Sequence, residues 1–248
     1  MSGSLDGGMG FSSALILFAH PDDAEYMCGG TTAKWSREGT DVHYVCITDG
    51  SAGSNEPGVT REMVRPIRER EQRAAAAVLG VRSVTFLGEV DGMIEVTFDL
   101  RRKVTREVRR LRPEVIVAPD PSRLWFGNGY INHWDHKVAG TLSLCAVMPD
   151  APTRAQFPEL LDEGFEPYEV PNLWLGANEP DTYVDIGDTI DTKIAALAEH
   201  VSEEGGEADP WIRKRAEELG AQAGLAYAEG FRAFRFTDDE PEIVEEKQ

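Results

Sequence analysis

Disulfide bonding, membrane spanning and nucleic-acid binding are each argued against by what this chain is short of. It has three cysteines in 248 residues, Cys28, Cys46 and Cys145. The number is odd, no two are spaced as CxxC, and each falls in an apolar or helical pattern, so reduced buried thiols are expected. No apolar run approaches the roughly 20 residues that a bilayer-spanning helix needs, and the opening MSGSLDGGMGFSS has neither a basic head nor an apolar signal core. These absences predict a soluble cytoplasmic protein with no membrane partner. Basic residues are also scarce, 25 Lys and Arg against 44 Asp and Glu, for a net charge of −19. The excess is uneven: residues 150–248 hold 25 acids and 8 bases, which leaves 19 acids and 17 bases in residues 1–149. An acidic surface repels phosphate backbones, so nucleic acid is not the expected partner and a neutral or cationic small molecule is; homo-oligomer formation stays open. No GxGxxG and no phosphate-cradling glycine loop follows the first apolar run, which argues against nicotinamide binding and phosphoryl transfer.

What the chain does have is a regular alternation of strand and helix patterns. ALILFA at 14–19 reads as a buried strand, a helical pattern follows to Gly39, and DVHYVCIT at 41–48 is the next strand. RPIREREQRAAAAVLG ends a helix at Gly80, SVTFLG is a strand, LRRKVTREVRRLR a basic amphipathic helix and EVIVAP a fourth strand. The expected fold is α/β: a single-domain, Rossmann-like, doubly wound, mostly parallel sheet with helices on both faces. It is placed at 14–236, with a flexible N-terminal tail at 1–13 and an acidic C-terminal tail at 237–248. Further on, HWDHKVAGTLSLCAVM reads as a helix, NLWLGAN and TYVDIG as strands, TIDTKIAALAEH as a helix, and WIRKRAEELGAQAGLAYAEGFRAF as one long helix. The stretch from Met148 to Asn172 has five prolines and no clear period, and is expected to form a flap over a site.

Chemistry concentrates at two strand ends. The first strand runs into AHPDDAEYMCGG, with His20, Asp22 and Asp23; the fourth leads past Asp120 to NHWDHKVAG, with His133, Asp135 and His136. Loops after neighbouring parallel strands converge at the carboxyl edge of a doubly wound sheet, so the two clusters can meet across more than a hundred residues. Histidine and aspartate beside an open position form the ligand set of a catalytic zinc site. Alone, HPDD is equally compatible with a helix cap and HxxH with surface histidines. Three of the five histidines in these two clusters make the conjunction persuasive.

AHPDDAEYMCGGT, TDGSAG, RxxExxxAxxxLG from Arg68 to Gly80, DG at Asp91 and HWDH together resemble the PIG-L/LmbE-like deacetylases, zinc-dependent enzymes that remove acetyl groups from N-acetylglucosaminyl compounds. The resemblance implies Zn²⁺ held by His20, Asp23 and His136, with Asp22 as general base and His133 stabilising or protonating, in its protonated form, at the tetrahedral stage. It makes Arg68 and Asp91 candidates for sugar contacts. The function it implies is hydrolysis of an N-acetyl or related N-acyl group on an amino-sugar small molecule or natural product. The alternatives are an amidase acting on a sugar-thiol conjugate or secondary metabolite, and a non-catalytic metal-binding protein. The chain departs from the common pattern at Trp134, where proline is usual, at Ile131, where a tyrosine is found in sugar-thiol deacetylases and Tyr130 stands one place early, and after His200, in HVSEE. His200 and His43 are expected to be structural.

Overall fold

The computed structural model describes residues 4–5, 10–126, 129–177, 179–204 and 210–236. The acidic tail expected at 237–248 lies outside the described residues, as do residues 1–3 and 6–9 of the expected N-terminal tail. Within that tail Ser4–Leu5 forms a two-residue strand, β1.

From β2 (Ser13–Phe18) the chain alternates through α1 (Asp23–Glu38), β3 (Asp41–Thr48), α2 (Arg61–Leu79), β4 (Ser83–Glu89), α3 (Phe98–Leu111) and β5 (Val115–Pro119). The hairpin β6 (Trp125–Phe126) and β7 (Tyr130–Ile131) precedes α4 (Trp134–Cys145). Then come α5 (Glu159–Asp162), β8 (Asn172–Gly176), β9 (Thr182–Asp185), α6 (Ile190–Leu197), α7 (Val201–Glu204), α8 (Trp211–Ala223) and β10 (Ala228–Arg235). Strands β4, β3, β2, β5 and β8 lie side by side in that order, all parallel. β10 joins β8 antiparallel, β9 pairs antiparallel with β10, and β1 adds parallel to β9. The strand order reverses between β2 and β5, so the loops leaving those strands diverge to opposite faces and open a crevice at their carboxyl ends.

Period-two alternation explains why the central strands read as continuous apolar runs: both faces are covered. Ile16 and Phe18 of β2 face a layer with Ala24 and Trp35 of α1, Ala75 and Leu79 of α2 and Ile190 of α6. Leu15 and Leu17 face the other layer, with Leu100, Val104 and Val108 of α3 and Val138 and Leu142 of α4. Each such fully buried aliphatic chain contributes about 1.5–3 kcal/mol. Cys28 and Cys46 are buried free thiols, and Cys145 is half-buried and free. His43 pairs across β3–β4 with the Ser83 hydroxyl at 2.7 Å, a sheet contact away from the crevice.

Two expectations are corrected. The pattern read as one helix over 211–234 breaks at Gly224, whose φ of +73° ends α8, and the remainder returns as β10. Its buried positions Phe231 and Ala228 are compatible with either period, and antiparallel pairing with both β8 and β9 decides the outcome. The proline-rich stretch is not a flap: the described residues lining the crevice include none from 149–171. The buried Arg109 guanidinium instead gathers the carbonyls of Asp150, Ala151, Thr153 and Gln156 at 3.0–3.1 Å, and Arg101 clamps the Asp150 carboxylate with two hydrogen bonds of 2.9 and 2.6 Å. Those bonds dock the segment on α3.

α1 leaves helical geometry at Cys28 (φ −149°). A regular helix would pair the Gly30 N–H with the Tyr26 carbonyl. Here Glu229 of β10 accepts from Gly30 N–H (3.0 Å) and Thr31 N–H (2.7 Å), while Lys193 of α6 donates to the Tyr26 carbonyl (2.9 Å) and to Glu229 (2.6 Å). A buried ion pair thus completes a broken helix and fastens α6 and β10 to it. Glu229→Ala strands an ammonium and two amides, and is expected to lower unfolding free energy by about 3–5 kcal/mol in denaturant titration.

Candidate functional site

The crevice between β2 and β5 deepens into a cavity of about 1020 Å³. His20 leaves β2 in a tight turn in which the Asp23 carboxylate accepts the His20 backbone N–H at 2.8 Å. α4 brings the second cluster close because Gly140 has no side chain: a Cβ there would lie 2.3 Å from the Pro119 carbonyl oxygen of β5. The ligand atoms of His20, Asp23 and His136 all lie within 4.8 Å of one another. His136 Nε2 is 3.0 Å from Asp23 Oδ1 and 3.3 Å from His20 Nδ1.

The atoms behind these three fix their orientation. Nδ1 of His136 meets the Asn132 side-chain oxygen at 2.8 Å, which directs Nε2 into the cluster. Nε2 of His20 is 3.2 Å from Asp135 Oδ2 and 3.1 Å from Asp91 Oδ1, leaving Nδ1 for the cluster. Asp135 also accepts the Gly92 N–H at 2.8 Å, and Asp91 the Ala52 N–H at 2.9 Å. A second set, His20, His133 and Asp135, satisfies the same distance limit.

Charges in the cluster favour a cation. Burial pulls His20 down, but hydrogen bonds with Asp135, Asp23 and Asp91 outweigh it and hold the imidazole well above its ordinary range. Burial likewise opposes, and Asp23 overcomes, in raising His136. Asp23 is held well below the usual carboxylate range by His136 and His20 in spite of burial. An anionic carboxylate between two imidazoles drawn toward protonation is a donor set that suits a divalent ion as well as protons, and two imidazoles with one carboxylate suit zinc better than magnesium.

Asp22 is the neighbour set apart. It stands at the N-cap of α1 with φ +98°, and its side chain makes no capping hydrogen bond, so the helix-cap reading of HPDD does not hold. Its backbone N–H donates to the Gln72 side chain at 2.9 Å, and its carboxylate accepts from Arg68 at 3.1 Å. Burial first, then the Asp23 charge, push it up to about 7 against the pull of Arg68. Gln72 in turn donates to Glu25 at 3.0 and 3.1 Å, and Glu25 faces His200 Nε2 at 3.3 Å. Gln72, Glu25 and His200 are fully buried. This relay connects α1, α2 and the loop before α7 to one strained aspartate.

His133 is the N-cap of α4, and its Nδ1 accepts the Asp135 N–H at 3.2 Å. Burial and then the His20 charge lower its pKa. With Nδ1 accepting the Asp135 N–H, the hydrogen of the His133 ring is carried on Nε2. Arg68 is buried, donating to the Pro21 carbonyl and to Asp22 and pairing with Glu203 at 2.6 Å, and Asp91 is buried against His20. Both line the cavity; Arg68 Nη2 is held by Pro21 and Asp22 and its Nη1 ion-paired with Glu203, its buried Nε making no hydrogen bond among the described residues, while Asp91 is held by His20 and the Ala52 N–H. Tyr130 lines it too, whereas Trp134 is exposed beside Lys137.

The model of the family described as PIG-L, GlcNAc-PI de-N-acetylase, matches residues 15–147, more than half of the chain and both clusters. The chain belongs to the PIG-L family. Among curated relatives, the diacetylchitobiose deacetylase of Thermococcus kodakarensis is 30% identical over 88% of this chain and 81% of its own length. Among solved structures, the N,N'-diacetylchitobiose deacetylase of Pyrococcus horikoshii superposes with a TM-score of 0.82 at 29% identity, over 91% of this chain and 84% of that one. The 4-carboxy-2-hydroxymuconate hydratase of Pseudomonas putida superposes with a TM-score of 0.77 at 25% identity, over 92% and 99%. Relatives of this fold thus include a hydratase as well as deacetylases. No helix among the described residues is long and apolar enough to cross a membrane.

Proposed function

We propose that the chain is a zinc-dependent amide hydrolase that removes an N-acetyl or related N-acyl group from an amino-sugar small molecule, releasing acetate and a free amine. The observation that supports it most is the convergence of His20, Asp23 and His136 with Asp22 adjacent in sequence, lining the same cavity but outside the ligand cluster. The two deacetylase relatives support an amide substrate. A single domain over 14–236 and a cytoplasmic setting, with free thiols, go with this reading.

His20, Asp23 and His136 would hold the zinc. Zinc, when bound, acts as a Lewis acid on the amide carbonyl and brings the pKa of a water to about 7. Asp22, pushed up to about 7 in the cluster, takes the proton of the attacking water and carries it to the departing amine. His133, with Nδ1 engaged by the Asp135 N–H, offers Nε2–H to the oxygen on which negative charge develops. Arg68 and Asp91 are assigned to bracing Asp22 and His20 rather than to direct sugar contact.

Acetate release across a panel of N-acetylated sugars, with zinc quantified in the same preparation, tests the reading. One zinc per chain with acetate release is expected; stoichiometric zinc without hydrolysis of any acetamide returns the chain to a metal-binding or hydratase role. His133→Ala is expected to lower turnover by more than about tenfold with zinc content near wild type. Zinc lost in proportion to activity would move the metal to the His20, His133 and Asp135 set.

A further inference from the structure

The peptide between Pro21 and Asp22 is gripped at both ends by α2. Arg68 donates to the Pro21 carbonyl, and Gln72 Oε1, one turn further along the helix, accepts the Asp22 N–H at 2.9 Å. Residues four apart share a helix face, so a single face of α2 fixes the plane of this peptide. The grip matters because Asp22 has φ +98°, a conformation that residues other than glycine rarely adopt. That φ is the torsion between the gripped peptide and the carbon bearing the carboxylate, so holding the one aims the other.

A primary amide can stand either way round. With Gln72 Nε2 turned toward Asp22, two N–H groups would oppose each other and the grip would be lost. The choice is made on the far side of Gln72, where the Glu25 carboxylate takes Nε2 at 3.0 and 3.1 Å. A carboxylate accepts and does not donate, which leaves Oε1 for Asp22. Glu25 in turn has His200 Nε2 at 3.3 Å. Among the described residues His200 Nδ1 has no hydrogen-bond partner, so the contact with Glu25 is the polar tie of that side chain. Gln72, Glu25 and His200 are fully buried, and burial removes solvent as a substitute for a lost partner. Ser202, two residues after His200, is bound to Glu71 through its N–H (2.9 Å) and its hydroxyl (2.6 Å), which anchors the same segment to α2 by a separate route.

We propose that Gln72 and His200 are positioning residues for Asp22: His200 holds Glu25, Glu25 sets which way round the Gln72 amide stands, and Gln72 holds the Asp22 peptide so that its carboxylate faces the attacking water. This rests on the reading of Asp22 as general base. It gives His200, expected to be structural, a directional task at the far end of a line whose links act in series. Once the last link is gone, the earlier ones have nothing left to transmit.

The test is a double-mutant cycle read in kcat, with the exchange rate of the Asp22 amide hydrogen followed by NMR in the same proteins. Gln72→Met, which fills the space without hydrogen-bonding groups, is expected to lower kcat about ten- to hundredfold and His200→Phe about tenfold, each with KM and zinc content near wild type. The double variant falls no further than Gln72→Met alone. His200→Gln, whose amide still offers Glu25 a donor, recovers most of the loss. Asp22 amide exchange accelerates by at least about tenfold in Gln72→Met and in His200→Phe, in zinc-loaded and metal-free protein alike. Ser202→Ala, which loosens the same segment by the separate route, leaves kcat and that exchange rate near wild type. Losses that multiply in the double variant, a loss in Ser202→Ala as large as in His200→Phe, or an Asp22 amide equally protected in wild type and Gln72→Met overturns the proposal. If His200→Phe does not fold, His200→Asn, too short to reach Glu25, takes its place in the cycle. Absence of acetate release from any acetamide, with the exchange rates shifted as expected, overturns the deacetylase reading and leaves the line from His200 to Asp22 standing.

Discussion

Replacing Asp22 by Asn lowers turnover by about 10²- to 10⁴-fold while zinc content stays at the wild-type level. The substitution is nearly isosteric, and asparagine tolerates a positive φ better than most residues, so the turn at φ +98° survives. The Gln72 hydrogen bond goes to the backbone N–H and is indifferent to the side chain. Arg68 can still donate to the amide oxygen. What disappears is a group able to accept a proton from water and return it. The acid limb of the wild-type pH profile follows from the same residue: the base works deprotonated, so the rate falls as pH falls through its pKa. Zinc held by Asp23 would offset the Asp23 charge, one of the causes that push Asp22 up, so the limb is expected at lower pH than the titration of Asp22 in the metal-free protein. Steady-state kinetics with metal quantification decide the matter. A variant that keeps more than a tenth of wild-type turnover removes Asp22 as base, and one that loses zinc makes it a ligand.

The parallel core was legible because buried strands advertise themselves. ALILFA, DVHYVCIT and EVIVAP read as buried strands, and in such a sheet their carboxyl ends carry the chemistry, which is why the His20 and His133–His136 clusters could be brought together across more than a hundred positions. β10 was not legible, since Gly224 is the one break signal in the four residues 224–227 between α8 and a strand whose first residues are AEGF. The 149–171 segment misled for another reason. Its lack of periodicity reflects carbonyls organised around the distant Arg109, a tertiary interaction that no local pattern encodes. The residues around the site divide in the same way. The two clusters His20, Asp22, Asp23 and His133, Asp135, His136 stand out by type and spacing, and only the family resemblance singled out His20, Asp23 and His136 among them; Asn132, Gln72 and Glu25 act through partners up to 175 positions away in the chain, as Glu25 does with His200. The one local cue was adjacency: Glu25 closes HPDDAE and Asn132 precedes HWDH.

Asp23→Asn is expected to cost at least about 100-fold in zinc affinity, since changes one layer outside a metal centre already cost 10- to 100-fold. One carboxylate oxygen accepts the His20 N–H at 2.8 Å and the other lies 3.0 Å from His136 Nε2. An asparagine can keep the first contact through its oxygen and so preserve the turn, but it then presents N–H to the cluster where a lone pair is needed. The loss of charge has a second, metal-independent signature. Asp23 is what overcomes burial in raising His136, so in the metal-free variant the His136 pKa falls relative to the metal-free wild type, readable by NMR titration. Proton and metal compete for the same nitrogen, so wild-type zinc affinity rises with pH as that imidazole deprotonates. In Asp23→Asn this pH dependence shifts to lower pH while the affinity itself drops, because the change that frees the imidazole from its proton also removes the anionic ligand. Stoichiometric zinc in Asp23→Asn would transfer the carboxylate role to Asp22 or Asp135, and an unmoved His136 titration would detach Asp23 from the imidazole it is seen to face.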